Sequence, residues 1–206
     1  MFGLRPTDYL PAMRELTSLC LMVLYVGLYA QGDTAAIDTV RAIMAIEQRM
    51  DEVDMLPIGA VFAKVEGREE AVRLWPDSVL PAGEVERYEL YVNPDGSVAG
   101  MGIYPISTHP GVLESSCHYF DAQGNTVSVW WRMKWQVSGC TDTLAVETRY
   151  VYFAPPTNTL LEYATLKDAK GNKLDAAACK FPDIERHFDA YYHRDILLIF
   201  KGIPEN

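Results

Sequence analysis

Hydrophobic and polar positions alternate most regularly over residues 126–137, T-V-S-V-W-W-R-M-K-W-Q-V. Val127, Val129, Trp131, Met133, Trp135 and Val137 share one parity, while Ser128, Trp130, Arg132, Lys134 and Gln136 share the other. A period of two sends successive side chains to opposite faces of a strand, so this stretch predicts a strand with one dry and one wet face. It holds three of the four tryptophans, which predicts the centre of a sheet.

The same alternation predicts strands over 58–65, 87–92, 97–106, 114–120, 144–153 and 159–167. Residues 69–75 fit a short helix or a strand, 183–192 a helix, and 195–200 a last strand. Asn93-Pro94-Asp95-Gly96 reads as a tight turn, because proline presets φ and glycine accepts a positive one. Gly100 and Gly102 mark a bulge or a close backbone approach. D-A-x-G-N occurs at 121–125 and 168–172 and reads as a hairpin turn, since the downstream glutamate of a calcium loop is missing. Keeping apolar side chains together sets Tyr119 opposite Val127 and Cys117 opposite Val129. It also sets Trp135 opposite Val146, so that Lys134 faces Glu147 and Arg132 faces Arg149.

A different period runs through residues 31–54. Ile37, Val40, Ile43, Met44, Ile46, Met50 and Val53 form a stripe at helical spacing, with Asp38, Arg41, Gln48, Arg49 and Glu52 opposite. Asp33 or Thr34 can cap this helix, and Pro57 bars its continuation. The fold class expected is α+β: an N-terminal amphipathic helix packed on a large, mainly antiparallel meandering β-sheet. In architecture alone, a helix followed by a curved meander resembles cystatin- and NTF2-type folds, which transfers no function.

The N-terminus changes the picture. Arg5 and Arg14 precede an apolar run over 16–30 that ends in Ala30. That run is short for a membrane span but fits the apolar region of a secretory signal peptide. Residues 1–30 are therefore expected to be a cleaved leader and 31–206 a single domain, with translation starting at Met1 or Met13. Leu28 is larger than an ideal third residue before the cut, and Cys20 sits inside the run, unlike a lipoprotein signal. The expected location is periplasmic or extracellular, with no integral membrane segment after cleavage.

Export permits disulfides. Of the cysteines beyond the leader, Cys140 falls in a turn and Cys179 in a loop, so these two are expected to pair. Cys117, on a strand, is expected to stay a buried thiol.

Charge narrows the partners. A net charge of -10 repels phosphates, which excludes nucleic acid as an expected partner. Chemistry-bearing motifs are absent: there is no C-x-x-C, no G-x-S-x-G and no phosphate-binding glycine loop. His187 and His193 are six apart, too far for two ligands on one helical face, so no metal or cofactor is implied.

What remains is an aromatic beside cations. Trp130, Arg132 and Lys134, with Glu147 and Arg149 brought close by the expected register, form the candidate ligand-binding face, suited to a protein, peptide or glycan partner. The expected function is an exported, non-catalytic binding module, possible forms being an inhibitor or immunity-type protein. The alternatives are a hydrolase using carboxylates such as Glu147 and Glu162, and a structural envelope component.

Overall fold

The computed structural model describes residues 34–107, 109, 111–136, 140–154, 157–179 and 190–204. The expected leader and residues 183–189 of the expected helix, His187 among them, lie outside the described residues. The chain divides between Met55 and Leu56 into two compact units.

In the first unit, helix α1 spans Thr34–Asp54. Ile37, Val40, Ile43, Ile46, Met50 and Val53 are its buried apolar positions, matching the stripe in the sequence. On its other faces Arg41 lies 3.7 Å from Asp38, and Arg49 lies 3.5 Å from Glu52.

The second unit is one open antiparallel sheet of eight strands with a short terminal helix. The strands are β1 (Ile58–Val65), β2 (Val72–Leu74), β3 (Glu84–Val92), β4 (Val98–Pro105), β5 (Val112–Phe120), β6 (Thr126–Gln136), β7 (Leu144–Ala154) and β8 (Asn158–Asp168). Their spatial order is β2-β1-β3-β4-β5-β6-β7-β8, so the chain meanders from β3 onward and the two edges are β2 and β8.

The two D-A-x-G-N turns are built alike. Asp121 Oδ1 accepts from the backbone N–H groups of Gln123 and Asn125, and Asp168 Oδ1 from those of Lys170 and Asn172. Each asparagine side chain donates back to its aspartate, and Gly124 and Gly171 take φ of 88° and 87°. Asn172 thereby holds the Asp168 carboxyl below the usual carboxylate range. The aspartates that resembled calcium ligands are thus occupied with their own turns.

Both expected registers are off by one residue. Phe120 pairs with Thr126, as the turn dictates, but a bulge at the next step makes Tyr119 face Ser128 and Cys117 face Trp130. Between β6 and β7, Trp135 faces Ala145 and Lys134 faces Val146, not Glu147. A one-residue slip exchanges the two faces of the partner strand. Apolar patterning does not resist that slip here, because both faces are dry: Trp131 is 4% exposed and Trp130 2%. The expectation of a wet face around Trp130 is therefore corrected.

Directly paired residues point the same way, so the register sorts the sheet into two faces. One is covered by the C-terminal tail. There Leu197 and Ile203 pack with Phe62, Tyr88, Leu90, Met101, Ile103 and Phe120. Cys140 and Leu174 pack with Val112, Trp131, Met133 and Trp135, and Ala190 packs with Val129, Val151 and Phe153. This is the tail face. The opposite, aromatic face carries Tyr91, Tyr104, Tyr119, Trp130, Tyr150, Tyr152 and Tyr163. Gly102 lies on it under the Tyr104 ring, where an added Cβ would come within 2.9 Å of the Tyr104 hydroxyl.

The tail is stitched to the β5–β6 turn. Thr126 N–H donates to the Tyr192 carbonyl at 2.9 Å, and Arg194 N–H to the Gly124 carbonyl at 2.8 Å. Residues 195–200, expected as a strand, lie in helix α2 (Arg194–Phe200). The run D-I-L-L-I-F has no polar alternation, so its period cannot choose between strand and helix. The cap decides: Asp195 N–H donates to His193 Nδ1 at 3.2 Å, and Asp195 sits in the first turn, where the helix dipole favours an acid.

Candidate functional site

The aromatic face ends in cations. Reading across the strands, one row is Cys117, Trp130, Tyr150 and Tyr163. The next is Ser115, Arg132, Thr148 and Thr165. The third is Leu113, Lys134, Val146 and Lys167, continued by Lys173, which bridges to Lys167 beyond the end of the 168–172 turn.

The aromatic row is rigidly held. Trp130 Nε1 donates to the Tyr119 hydroxyl at 2.8 Å, and the Tyr150 and Tyr163 rings stack with centroids 5.0 Å apart. Arg132 lies over Trp130, its Cζ 5.0 Å from the ring centroid, and its Nε donates to Thr148 Oγ1 at 3.3 Å. Arg132, Lys134 and Lys167 are half-buried and Lys173 is exposed. Burial holds the Lys134 ammonium below its ordinary pKa, and the charge of Arg132 adds to that.

No Asp or Glu occupies this face of β5, β6, β7 or β8. Among the described residues, no ion pair joins Arg132, Lys134, Lys167 or Lys173 to a carboxylate. On a chain of net charge -10 this is a local reversal of sign. Such an arrangement can attract and orient an anionic group, with hydroxyls of Ser115, Thr148 and Thr165 alongside.

Glu147 and Arg149 fall on the other side of the sheet. Glu147 faces Met133 and is buried, and Arg149 faces Trp131. Arg149 Nε lies 3.8 Å from Glu162, and Trp131 Nε1 donates to Glu114. The expected five-residue grouping is therefore divided: Trp130, Arg132 and Lys134 share a face, and Glu147 and Arg149 do not belong to it. Lys167 and Lys173 replace them. Counting outward from the 168–172 turn pairs these two lysines, but only the register across β7 brings them into line with Lys134.

Cys140 and Cys179 form a disulfide with Cα atoms 4.8 Å apart, and Cys117 is a buried thiol outside that bridge. Among the described residues no group of His, Cys, Asp and Glu gathers as a metal site, and no helix is long and apolar enough to cross a membrane.

Comparison with known proteins finds no matching family, no matching curated protein and no matching solved structure.

Proposed function

We propose that this protein is an exported, non-catalytic binding module that engages an acidic segment of a partner protein or peptide through Arg132, Lys134, Lys167 and Lys173. The observation that carries the reading is the alignment of Arg132 and Lys134 on β6 with Lys167 on β8 and Lys173 just beyond it, on a face where β5 to β8 carry no carboxylate. Lys134, partly desolvated and beside Arg132 without a counter-charge, costs stability, and an anionic ligand offsets that cost. The buried aromatic row beneath them keeps the strands rigid, so little order is lost on binding.

Export is supported by the basic, apolar and small-residue order over 1–30 and by the Cys140–Cys179 bridge, which persists in oxidising compartments such as the periplasm or the medium. Intact mass from the cell envelope or medium should begin at Gln31; a soluble species retaining 16–30 would overturn export.

The binding test uses labelled hexaglutamate and hexalysine. Hexaglutamate should bind, weaken with salt and fail with Arg132→Ala/Lys134→Ala, while the variant's melting curve stays close to the original and hexalysine stays free. No capture of hexaglutamate, or undiminished capture by the variant, would overturn the reading. Turnover of ester, glycoside or peptide substrates that is lost in Glu147→Gln or Glu162→Gln would replace it with the hydrolase reading.

A further inference from the structure

We propose that the acidic segment is an amphipathic helix of a partner protein, laid across β5 to β8 over the row Leu113, Lys134, Val146, Lys167 and Lys173. This rests on the cationic face being the binding surface and adds the form in which the partner meets it.

The partner must come to the face of the sheet and not to its edge. Lys173 and Leu174 fill the lane outside β8 at this level: Lys173 bridges to Lys167, and Leu174 N–H donates to the Leu166 carbonyl at 3.0 Å. Arg132 and Lys134 lie two strands further in. The face itself opens along its strands. Trp130 is buried, Arg132, Lys134, Val146 and Lys167 are half-buried, and Leu113 and Lys173 are exposed. The row is not purely cationic. Apolar and charged residues alternate across it from Leu113 to Lys134, Val146 and Lys167, and Lys173 closes it.

Spacing selects the form of the partner. Neighbouring strands lie about 4.8 Å apart, so the row advances by that step from Leu113 to Lys173. In a helix, residues alternately three and four apart form one stripe, which advances about 5.3 Å per member. Across the whole row the mismatch is about 2 Å, which a flexible lysine stem takes up. Same-side residues of an extended segment come about 6.7 Å apart and fall about 8 Å out of step over the same row, more than the width of one strand. The stripe that matches reads apolar, acidic, apolar, acidic, acidic. From N to C it follows the row from Leu113 to Lys173, because the negative end of the helix dipole then lies at Lys167 and Lys173. Arg132 and the hydroxyls of Ser115 and Thr165 flank the stripe along one side.

Two labelled peptides of one composition separate pattern from charge. L-A-Q-E-A-Q-A-L-A-Q-E-A-A-Q-E sets two leucines and three glutamates in the stripe. L-E-Q-A-A-Q-E-L-A-Q-A-E-A-Q-A keeps the leucines but spreads the glutamates around the helix. The full chain should bind the striped peptide at least about tenfold more tightly, a difference of about 1.4 kcal/mol. Free peptides of this length are only marginally helical, so the striped one should gain helical circular dichroism on binding. Leu113→Ser should weaken the striped peptide several-fold and leave capture of hexaglutamate unchanged. Equal affinities, capture of hexaglutamate alone, a bound striped peptide without added helix, or indifference to Leu113→Ser would overturn the helix and leave a contact of charge alone. Failure of hexaglutamate and of both peptides to bind would instead overturn the assignment of this face as the binding surface.

Discussion

The two faces of the sheet bury comparable aromatic side chains but treat charge differently. On the tail face, carboxylates have been given partners: Glu86 accepts from Tyr88 and pairs with Lys201 at 3.0 Å, Glu114 accepts from Trp131, and Glu162 lies 3.8 Å from Arg149. On the aromatic face, Glu89 accepts from Tyr104 at 2.9 Å, but over β5 to β8 the ionised side chains are all cations. Charges that serve the fold are matched locally, because an unmatched half-buried charge costs free energy. A cluster left unmatched within the fold is what a partner of opposite sign can use. The comparison also separates burial from function: Trp130 is as dry as Trp131, so an aromatic beside a cation marks a supporting wall and not an exposed contact.

The largest expected effect tests whether the faces are equally dry. Trp130→Ala and Trp131→Ala should each cost about 3–5 kcal/mol, a large part of an ordinary domain's stability. Denaturant melts that find Trp130→Ala nearly harmless would show that only the tail face is a core.

Next is the covalent tie that closes one end of the tail face. Cys140→Ser with Cys179→Ser should cost about 2–4 kcal/mol, since the bridge closes a separation of 39 residues. Reductant should lower the melting temperature of the natural protein and leave the double variant unchanged; a loss of the same size in the variant would show that the bridge is not what reductant acts on.

The twin turns give a smaller contrast. Gly124→Ala forces an alanine to a φ of 88° and brings a Cβ within 3.2 Å of the His193 ring, which caps α2. Gly171→Ala has the same φ problem with nothing within 4 Å. Both should lose about 1–2 kcal/mol for the left-handed backbone, with Gly124→Ala losing more. Equal losses would mean the tail yields at its contact with the turn.

The smallest effect lies on the cationic face and has a sign set by pH. Lys134 has its folded pKa depressed, so its charge opposes folding at neutral pH, and that penalty fades as pH rises through the folded pKa towards the unfolded value. Lys134→Met should therefore melt slightly higher than the natural protein at pH 7, and the gap should close above about pH 10, the ordinary lysine value. A gap that widens with pH would contradict an unmatched ammonium.

Much of this was legible along the chain. Alternation predicted β1 and β3 to β8 close to their observed bounds, the helical stripe predicted α1, and aspartate, glycine and asparagine spacing predicted the turns. Trp130, Arg132 and Lys134 were legible as a set because residues two apart on one strand share a face whatever the strand pairs with. Glu147 and Arg149 were misplaced because they lie on a neighbouring strand, and their side depends on register.

The amino-acid sequence by itself determined what depends on near neighbours: which segments extend, which coil, and where glycine lets the chain reverse. Only the tertiary structure decided the register, since the bulge beyond Phe120 and the pairing of Trp135 with Ala145 exchange faces without disturbing any local preference. Only the tertiary structure decided that 195–200 is a helix, because an unbroken apolar run takes the form its cap and its packing surface select. The alignment of Lys134 with Lys167 and Lys173 belongs to the same class, for it is made by two strand pairings and one turn acting together.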